Sequence, residues 1–309
     1  MVTDDASGMV AALGNFDGVH LGHRVLISAA ARVAAAHGSA PAVVVFDPHP
    51  RRYFRPNDPP FLITAPDDRD ALLREAGAAA VVRLRFNDAL ASLSPEDFVQ
   101  HVLRDQLRLA GAVTGADFRF GRGRAGDVDD LARLCADVGL DFAAIDPLRD
   151  ETEAHGLKIG SSGVRAAIAA GELDRATAML GRRWSVAGIV REGRRLGRTI
   201  GFPTANLILG DLISPAFGVY AVLVAIDGRN GARAGAVANF GVRPTLGGDA
   251  TPLLEVHLFD FDADIYGAKL RVEFVAFIRG ERKFADVEAL RSQIALDADA
   301  ARRILRDGA

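Results

Sequence analysis

Near residue 181 the apolar rhythm of this chain changes, and that change constrains the fold more than any other feature. Before it, short apolar runs at 9–13, 42–46, 79–82, 111–114 and 142–145 read as buried strands. Helical periodicity fills the gaps at 23–37, 67–76, 94–108 and 127–138. Gly38, Gly77 and Gly139 are placed to stop three of these helices, and Ser94-Pro95 caps the start of another. Such alternation demands right-handed crossovers, hence a parallel sheet covered by helices on both faces. A short helical pair is expected over 161–180, ending at Gly181. Beyond it, strand-like runs at 185–190, 218–226, 234–238, 253–259 and 269–277 follow one another across turns, Asp227-Gly228 among them. No long helix separates them, and an amphipathic helix over 284–306 closes the chain. The expectation is two domains: an α/β domain with a parallel sheet over 1–181, and a small, mostly antiparallel β-barrel with a C-terminal helix over 182–309. A length of 309 residues agrees.

Composition excludes several classes. The net charge is -3, so no basic excess advertises nucleic-acid or anionic-membrane binding. The single cysteine, Cys135, lies in an apolar pattern and allows neither a disulfide framework nor a multi-cysteine zinc site. The acidic, polar stretch Met1–Asp5 is wrong for a secretory signal, and no apolar run nears the ~20 residues that cross a bilayer. The expected setting is a reducing cytoplasm, with no membrane and no nucleic-acid partner. Protein partners are not legible.

The first dense polar cluster is Gly14-Asn-Phe-Asp-Gly-Val-His20-Leu-Gly-His23, between the first strand and the first helix. Glycines let backbone approach a phosphate, and a helix N-terminus offers free N–H groups and the positive end of its dipole. His20 and His23, three residues apart, can both face such an anion and donate to charge developing on a leaving pyrophosphate. Capping the helix, or binding a metal, is the alternative use of the two rings. A second glycine pattern, Gly121-Arg-Gly123-Arg-Ala-Gly126, fits the G-x-G-x-x-G dinucleotide fingerprint, with Asp141 and Asp146 roughly 20 residues on. No tight apolar strand leads into it.

The second cluster is Gly197-Arg-Thr-Ile-Gly-Phe-Pro-Thr204-Ala-Asn206. Without a G-x-x-x-x-G-K-[ST] motif, phosphoryl transfer here is not of the P-loop kind. It still needs a phosphate cradle, oxygen ligands for magnesium and a group to take the hydroxyl proton. Thr204 and Asn206 offer neutral oxygens on one face of an extended segment, while Arg198 and backbone near Gly201 suit phosphate. The alternative is a turn capped by Asn206. Glu255, in the apolar run Leu253-Leu-Glu-Val-His257, is the candidate base; the alternative is a solvent-facing edge position.

These segments and others resemble the bifunctional bacterial riboflavin kinase/FAD synthetase family. The first cluster resembles the HxGH nucleotidyltransferase loop. Phe46-Asp-Pro-His-Pro50 is similar to the family's F-x-P-H-P loop, and Gly115–Asp127 to its G-x-D/N-F-x-F-G-x-x-R-x-G-D segment. Lys158-Ile-Gly-Ser-Ser-Gly-Val-Arg165 resembles K-x-S-S-T-x-I-R, departing from it at Gly160, Ser162 and Gly163. Leu180–Val190, Asn239-Phe-Gly-Val-Arg-Pro-Thr245, Glu255–Gly267 and Arg279-Gly-Glu-Arg-Lys-Phe284 are similar to its riboflavin kinase segments.

The resemblance implies two steps. Riboflavin becomes FMN at a Mg²⁺-dependent, ATP-binding kinase site, with Thr204 and Asn206 as metal ligands, Arg198 and Gly201 at ATP, and Glu255 as base. FMN and a second ATP then become FAD and pyrophosphate. For that step it implies His20, His23 and Arg165 as catalytic residues. It places ATP at Gly14, Phe16, Asp17, Gly22, Asp117, Lys158, Ser161 and Ser162, and flavin at Pro48, His49 and Arg243. A kinase whose nucleotidyltransferase domain is weak or differently specific, and a non-catalytic flavin-binding module, are the other readings the sequence allows.

Overall fold

The structure, a computed structural model, describes residues 4–150, 156–192, 201–228, 233–242 and 252–307. The chain divides into two compact units, residues 1–58 with 66–161, and residues 59–65 with 162–309.

In the first unit, β1 (Val10–Leu13), β2 (Pro41–Asp47), β3 (Ala80–Arg85), β4 (Gly111–Gly115) and β5 (Asp141–Ile145) form one parallel sheet in the order β3-β2-β1-β4-β5. The helices between them are α1 (Leu21–Ala36), α2 (Pro50–Phe54), α3 (Pro66–Glu75), α4 (Asp88–Ala91), α5 (Pro95–Asp97), continued as a π-helix over Phe98–Gln106, and α6 (Val128–Asp137). Alternate residues of β1 explain the layering. Val10 and Ala12 join a core with Ile27 of α1 and Leu73 of α3, while Ala11 and Leu13 join another with Leu103 and Leu131. Both faces are therefore buried, which is why these strands read as continuous apolar runs. Gly38, Gly77 and Gly139 all take positive φ just beyond their helices, as a left-handed stop requires. Cys135 is fully buried, and burial pushes its thiol up to about 12. A short hairpin of β6 (Arg149–Asp150) and β7 (Leu157–Lys158) follows.

The second unit contains residues 59–65, then α7 (Ser161–Ala170) from its second residue onward, and α8 (Leu173–Leu180). A six-stranded antiparallel sheet follows: β8 (Ser185–Ile189), β9 (Ala205–Leu207), β10 (Gly218–Ile226), β11 (Arg233–Val242), β12 (Pro252–Leu258) and β13 (Lys269–Gly280). Its order, β8-β13-β10-β11-β12-β9, closes on itself where Arg191 N donates to Asn206 O at 2.9 Å, making the expected barrel. Trp184, Tyr220 and Phe274 pack edge and face within it. The terminal helix α9 (Val287–Asp307) lays Ala298 and Ala301 on Val219, Ala221 and Val237 outside the barrel. Residues 59–65 belong here because their backbone is tied down here: Phe61 and Leu62 donate to Asp211 O, and Trp184 Nε1 donates to Ile63 O at 2.9 Å.

Gly218 shows how closely the strands approach. A Cβ there would lie 2.2 Å from the Arg279 carbonyl oxygen, at a φ of 153°. Gly218→Ala is expected to cost at least about 2 kcal/mol, read as earlier loss of native fluorescence from Trp184, the sole tryptophan. An unshifted unfolding midpoint would contradict this packing.

Candidate functional site

In a doubly wound sheet the ligand crevice opens beyond the carboxyl ends of two adjacent strands whose connections leave in opposite directions. Here those strands are β1 and β4. The loops leaving them, Gly14–His20 and Gly115–Asp117, carry the predicted residues.

The β1–α1 loop is tightly built. Phe16 and Val19 are fully buried at φ of 52° and 42°, conformations that non-glycine residues seldom adopt and that cost free energy unless the surroundings enforce them. His20 caps α1, its Nδ1 accepting from His23 N at 3.3 Å. The two imidazoles stack at 3.6 Å between centroids, and Phe16 lies 4.8 Å from His23. Gly22 allows this, since a Cβ there would come within 3.2 Å of the His20 ring. Asp17 is buried, and its carbonyl accepts from Ser161 Oγ at 2.8 Å, joining this loop to the segment after β7. Lys158 pairs with Asp117. The structure thus gathers Gly14, Phe16, Asp17, His20, Gly22, His23, Asp117, Lys158 and Ser161 in one unit. Pro48 follows a cis peptide bond at the end of β2, and His49 caps α2 by accepting from Arg51 N at 3.0 Å.

Ser162 and Arg165 are in α7 of the barrel unit, where Arg165 Nε donates to Phe61 O at 2.8 Å and its guanidinium lies over the Phe61 ring. The two glycine departures in this segment, Gly160 and Gly163, have different surroundings. A Cβ at Gly160 would make only an ordinary contact, 3.9 Å from Lys158 Cε, whereas at Gly163 a Cβ would press within 3.1 Å of Met179 Sδ. The G-x-G-x-x-G pattern does not open a helix: Arg122–Arg124 is a 3-10 turn, and α6 starts later under an Asp127–Asp130 capping box. Its glycines serve packing, Gly121 against Pro95 and Gly126 against the Phe120 ring.

In the barrel unit the predicted residues meet across strands. Asn206 of β9 lies directly opposite Glu255 of β12, so the two share a face. Leu254, Val256 and Leu258 point to the core, leaving half-buried Glu255 and His257 on that other face. His257 Nδ1 donates to Pro203 O at 2.8 Å and its ring meets Phe202 edge-on, fixing the segment that carries half-buried Thr204. Gly201 takes φ 88°. Arg198 and Arg243 lie outside the described residues. Asn206 is 4% exposed, and its side-chain oxygen accepts no hydrogen bond from a described residue. An acceptor left bare beside a carboxylate, with a hydroxyl two residues away, fits a hard cation that takes oxygen ligands. Among the described residues no cluster of three His, Cys, Asp or Glu could hold a metal. The cross-strand row and the Lys158–Asp117 pair were beyond sequence reasoning, since both join residues far apart in the chain.

Two family models match successive parts of the chain. A family model for FAD synthetase matches residues 2–162, and one for riboflavin kinase matches 180–305. A bifunctional riboflavin kinase/FMN adenylyltransferase of Pseudomonas fluorescens is 41% identical over 303 residues, covering 96% of this chain and 93% of that protein. The Bacillus subtilis protein of the same name is 36% identical, covering 98% and 94%. A crystal structure described as a macrolide-efflux protein from Streptococcus pneumoniae superposes with a TM-score of 0.84 at 31% identity, covering 97% of this chain and 95% of that one. Among the described residues here, no helix is long and apolar enough to cross a membrane.

The Lys158 ammonium, chiefly by its hydrogen bond, holds the Asp117 carboxyl below the usual carboxylate range against the opposing effect of partial burial. A depressed folded-state value contributes stability above the ordinary carboxylate pKa and loses it as pH falls through the folded value. Lys158→Met is expected to move the Asp117 titration upward by carboxyl NMR, and its stability deficit should vanish on acidification. An unmoved Asp117 titration would contradict the pairing.

Proposed function

We propose, from the premise that this chain belongs to the bifunctional riboflavin kinase/FMN adenylyltransferase family, a division of labour between its two dense polar clusters. The chain phosphorylates riboflavin to FMN with ATP and adenylylates FMN to FAD. In our reading residues 182–309 carry the first reaction and residues 1–181 the second, although by packing 59–65 and 162–181 side with the barrel. The enzyme works in the cytoplasm, with riboflavin, FMN, FAD and ATP as its small-molecule partners.

In the kinase reaction Glu255 takes the proton of the ribityl 5′-hydroxyl as that oxygen bonds to the γ-phosphorus of ATP. The bond from the γ-phosphorus to the bridging oxygen breaks, and ADP leaves. Thr204 and Asn206 hold Mg²⁺, which when bound neutralises phosphate charge; the bare, buried Asn206 oxygen supports this. Arg198 and backbone at Gly201 bind the ATP phosphates, and Arg243 the flavin.

In the adenylyl reaction an FMN phosphate oxygen bonds to the α-phosphorus of ATP, and the bond to the β-phosphate oxygen breaks, releasing pyrophosphate. No covalent enzyme intermediate is needed, because positioning and charge stabilisation suffice. His20 and His23 donate to the departing pyrophosphate, assisted by Lys158, Ser161, Ser162 and Arg165. Gly14, Phe16, Asp17, Gly22 and Asp117 shape the ATP site, and Pro48 and His49 contact FMN. One observation carries this half: the stacked His20–His23 pair at the start of α1, held by a strained, buried loop at the switch point of the sheet.

Chromatography of products from riboflavin and from FMN, each with Mg-ATP, tests the division. Glu255→Gln should lower FMN formation by roughly 10²–10⁴-fold and leave FMN-to-FAD conversion intact. His20→Ala should do the reverse. A variant that lost both reactions equally, while folded, would contradict two separate sites.

A further inference from the structure

The row containing Asn206 and Glu255 does not stop there. Glu255 is paired on its other side with Asn239 of β11, Asn239 with Val219 of β10, and Val219 with Arg279 of β13. Directly opposed residues of antiparallel strands project to the same face, so Asn206, Glu255 and Asn239 stand side by side. At the far end Arg279 is locked: its Nε and Nη2 donate to the two carboxylate oxygens of Asp297 at 2.9 and 2.6 Å, and Gln293 Nε2 donates to the same carboxylate. Both partners are largely buried, Asp297 at 4% exposure. That clamp fixes the end of β13 to α9, two residues before Glu281.

Glu281 then turns back onto the row. A Cβ at Gly241 would lie 2.0 Å from Glu281 Oε1 and 3.4 Å from Asn239 Nδ2, so the carboxylate and the amide converge on the space that Gly241 leaves open. Asn239 is half-buried and stands between two carboxylates, Glu255 across the strand pair and Glu281 beside Gly241. A side-chain amide has two N–H donors on one nitrogen. No other neutral side chain of that size could serve a carboxylate on each side while adding no charge.

We propose that Asn239 is a positioning residue of the kinase site, its amide donating to Glu255 and so aiming that carboxylate at the hydroxyl it deprotonates, with Glu281 orienting the amide from behind. This rests on the reading of Glu255 as the base. Nothing in the row's chemistry requires Asn239 to touch riboflavin or ATP; it acts through Glu255. A base that rotates freely loses the near-attack geometry that proton transfer needs.

The test compares Asn239→Asp with Asn239→Ser in the full-length protein, using riboflavin and Mg-ATP. Aspartate keeps the size of asparagine but has no donor when ionised and adds a third carboxylate; serine is smaller but keeps a hydroxyl donor. Asn239→Asp should lower kcat for FMN formation by about tenfold or more, the range of one charge-assisted hydrogen bond. KM for riboflavin and ATP should stay within about twofold. Asn239→Ser should retain more kcat than Asn239→Asp, and FMN-to-FAD conversion should match the wild type in both. Wild-type kcat in Asn239→Asp would overturn the proposal. Equal loss in the two variants would overturn it too, since a merely structural role favours the isosteric aspartate or neither. Glu255→Gln in parallel separates the premises: full kinase activity there removes the base assignment itself, whereas its loss beside an unaffected Asn239→Asp removes only the role of Asn239.

Discussion

A three-residue strand, Ala205–Leu207, is the contact on which the barrel half depends. It pairs with β12 on one side and, through the Arg191–Asn206 bridge, meets the end of β8 on the other. That closure leaves no open edge at this point, and it sets the register that puts Asn206 opposite Glu255. A slip of one residue would turn Asn206 to the core and Leu207 or Ala205 to the carboxylate. His257 reinforces the register by holding Pro203 from the neighbouring strand. The geometry of the proposed kinase site is thus a consequence of how a barrel is closed.

The α/β half solves the matching problem with strand ends rather than strand faces. Its sheet is apolar on both sides, so polar chemistry can gather only where the strands stop. β1 and β4 stop side by side at the switch point. There, two non-glycine residues in left-handed conformation, a histidine cap and a serine bridging back to Asp17 hold one short loop in place. The backbone free energy spent on Phe16 and Val19 is offset by their complete burial.

Much of this was legible in the sequence because periodicity reports burial. The five strands of the parallel sheet and the five longer strands of the barrel fall where the apolar runs place them, and Gly38, Gly77, Gly139 and Gly181 end helices as expected. β9 was not legible as a strand: three residues are too few to show an alternation, and only the motif drew attention to them. Nor could the sequence reveal that Lys158 reaches Asp117, or that Asn239 stands next to Glu255, because tertiary register alone creates those pairs. The Gly163 departure makes sense only with Met179 in view. Segment 59–65 carries no pattern that would assign it to the barrel; its backbone bonds to Asp211 do so.

One chain uses two ATP molecules at two different phosphorus atoms, the γ-phosphorus of one and the α-phosphorus of the other. Isotope transfer tests it most directly: riboflavin is incubated with ATP labelled at either the γ- or the α-phosphorus, and the FMN and FAD formed are separated. γ-Label is expected in FMN, and both labels in FAD, one in each of its two phosphates. FAD that carries only the α-label, or γ-label in FMN with no α-label ever reaching FAD, would contradict it.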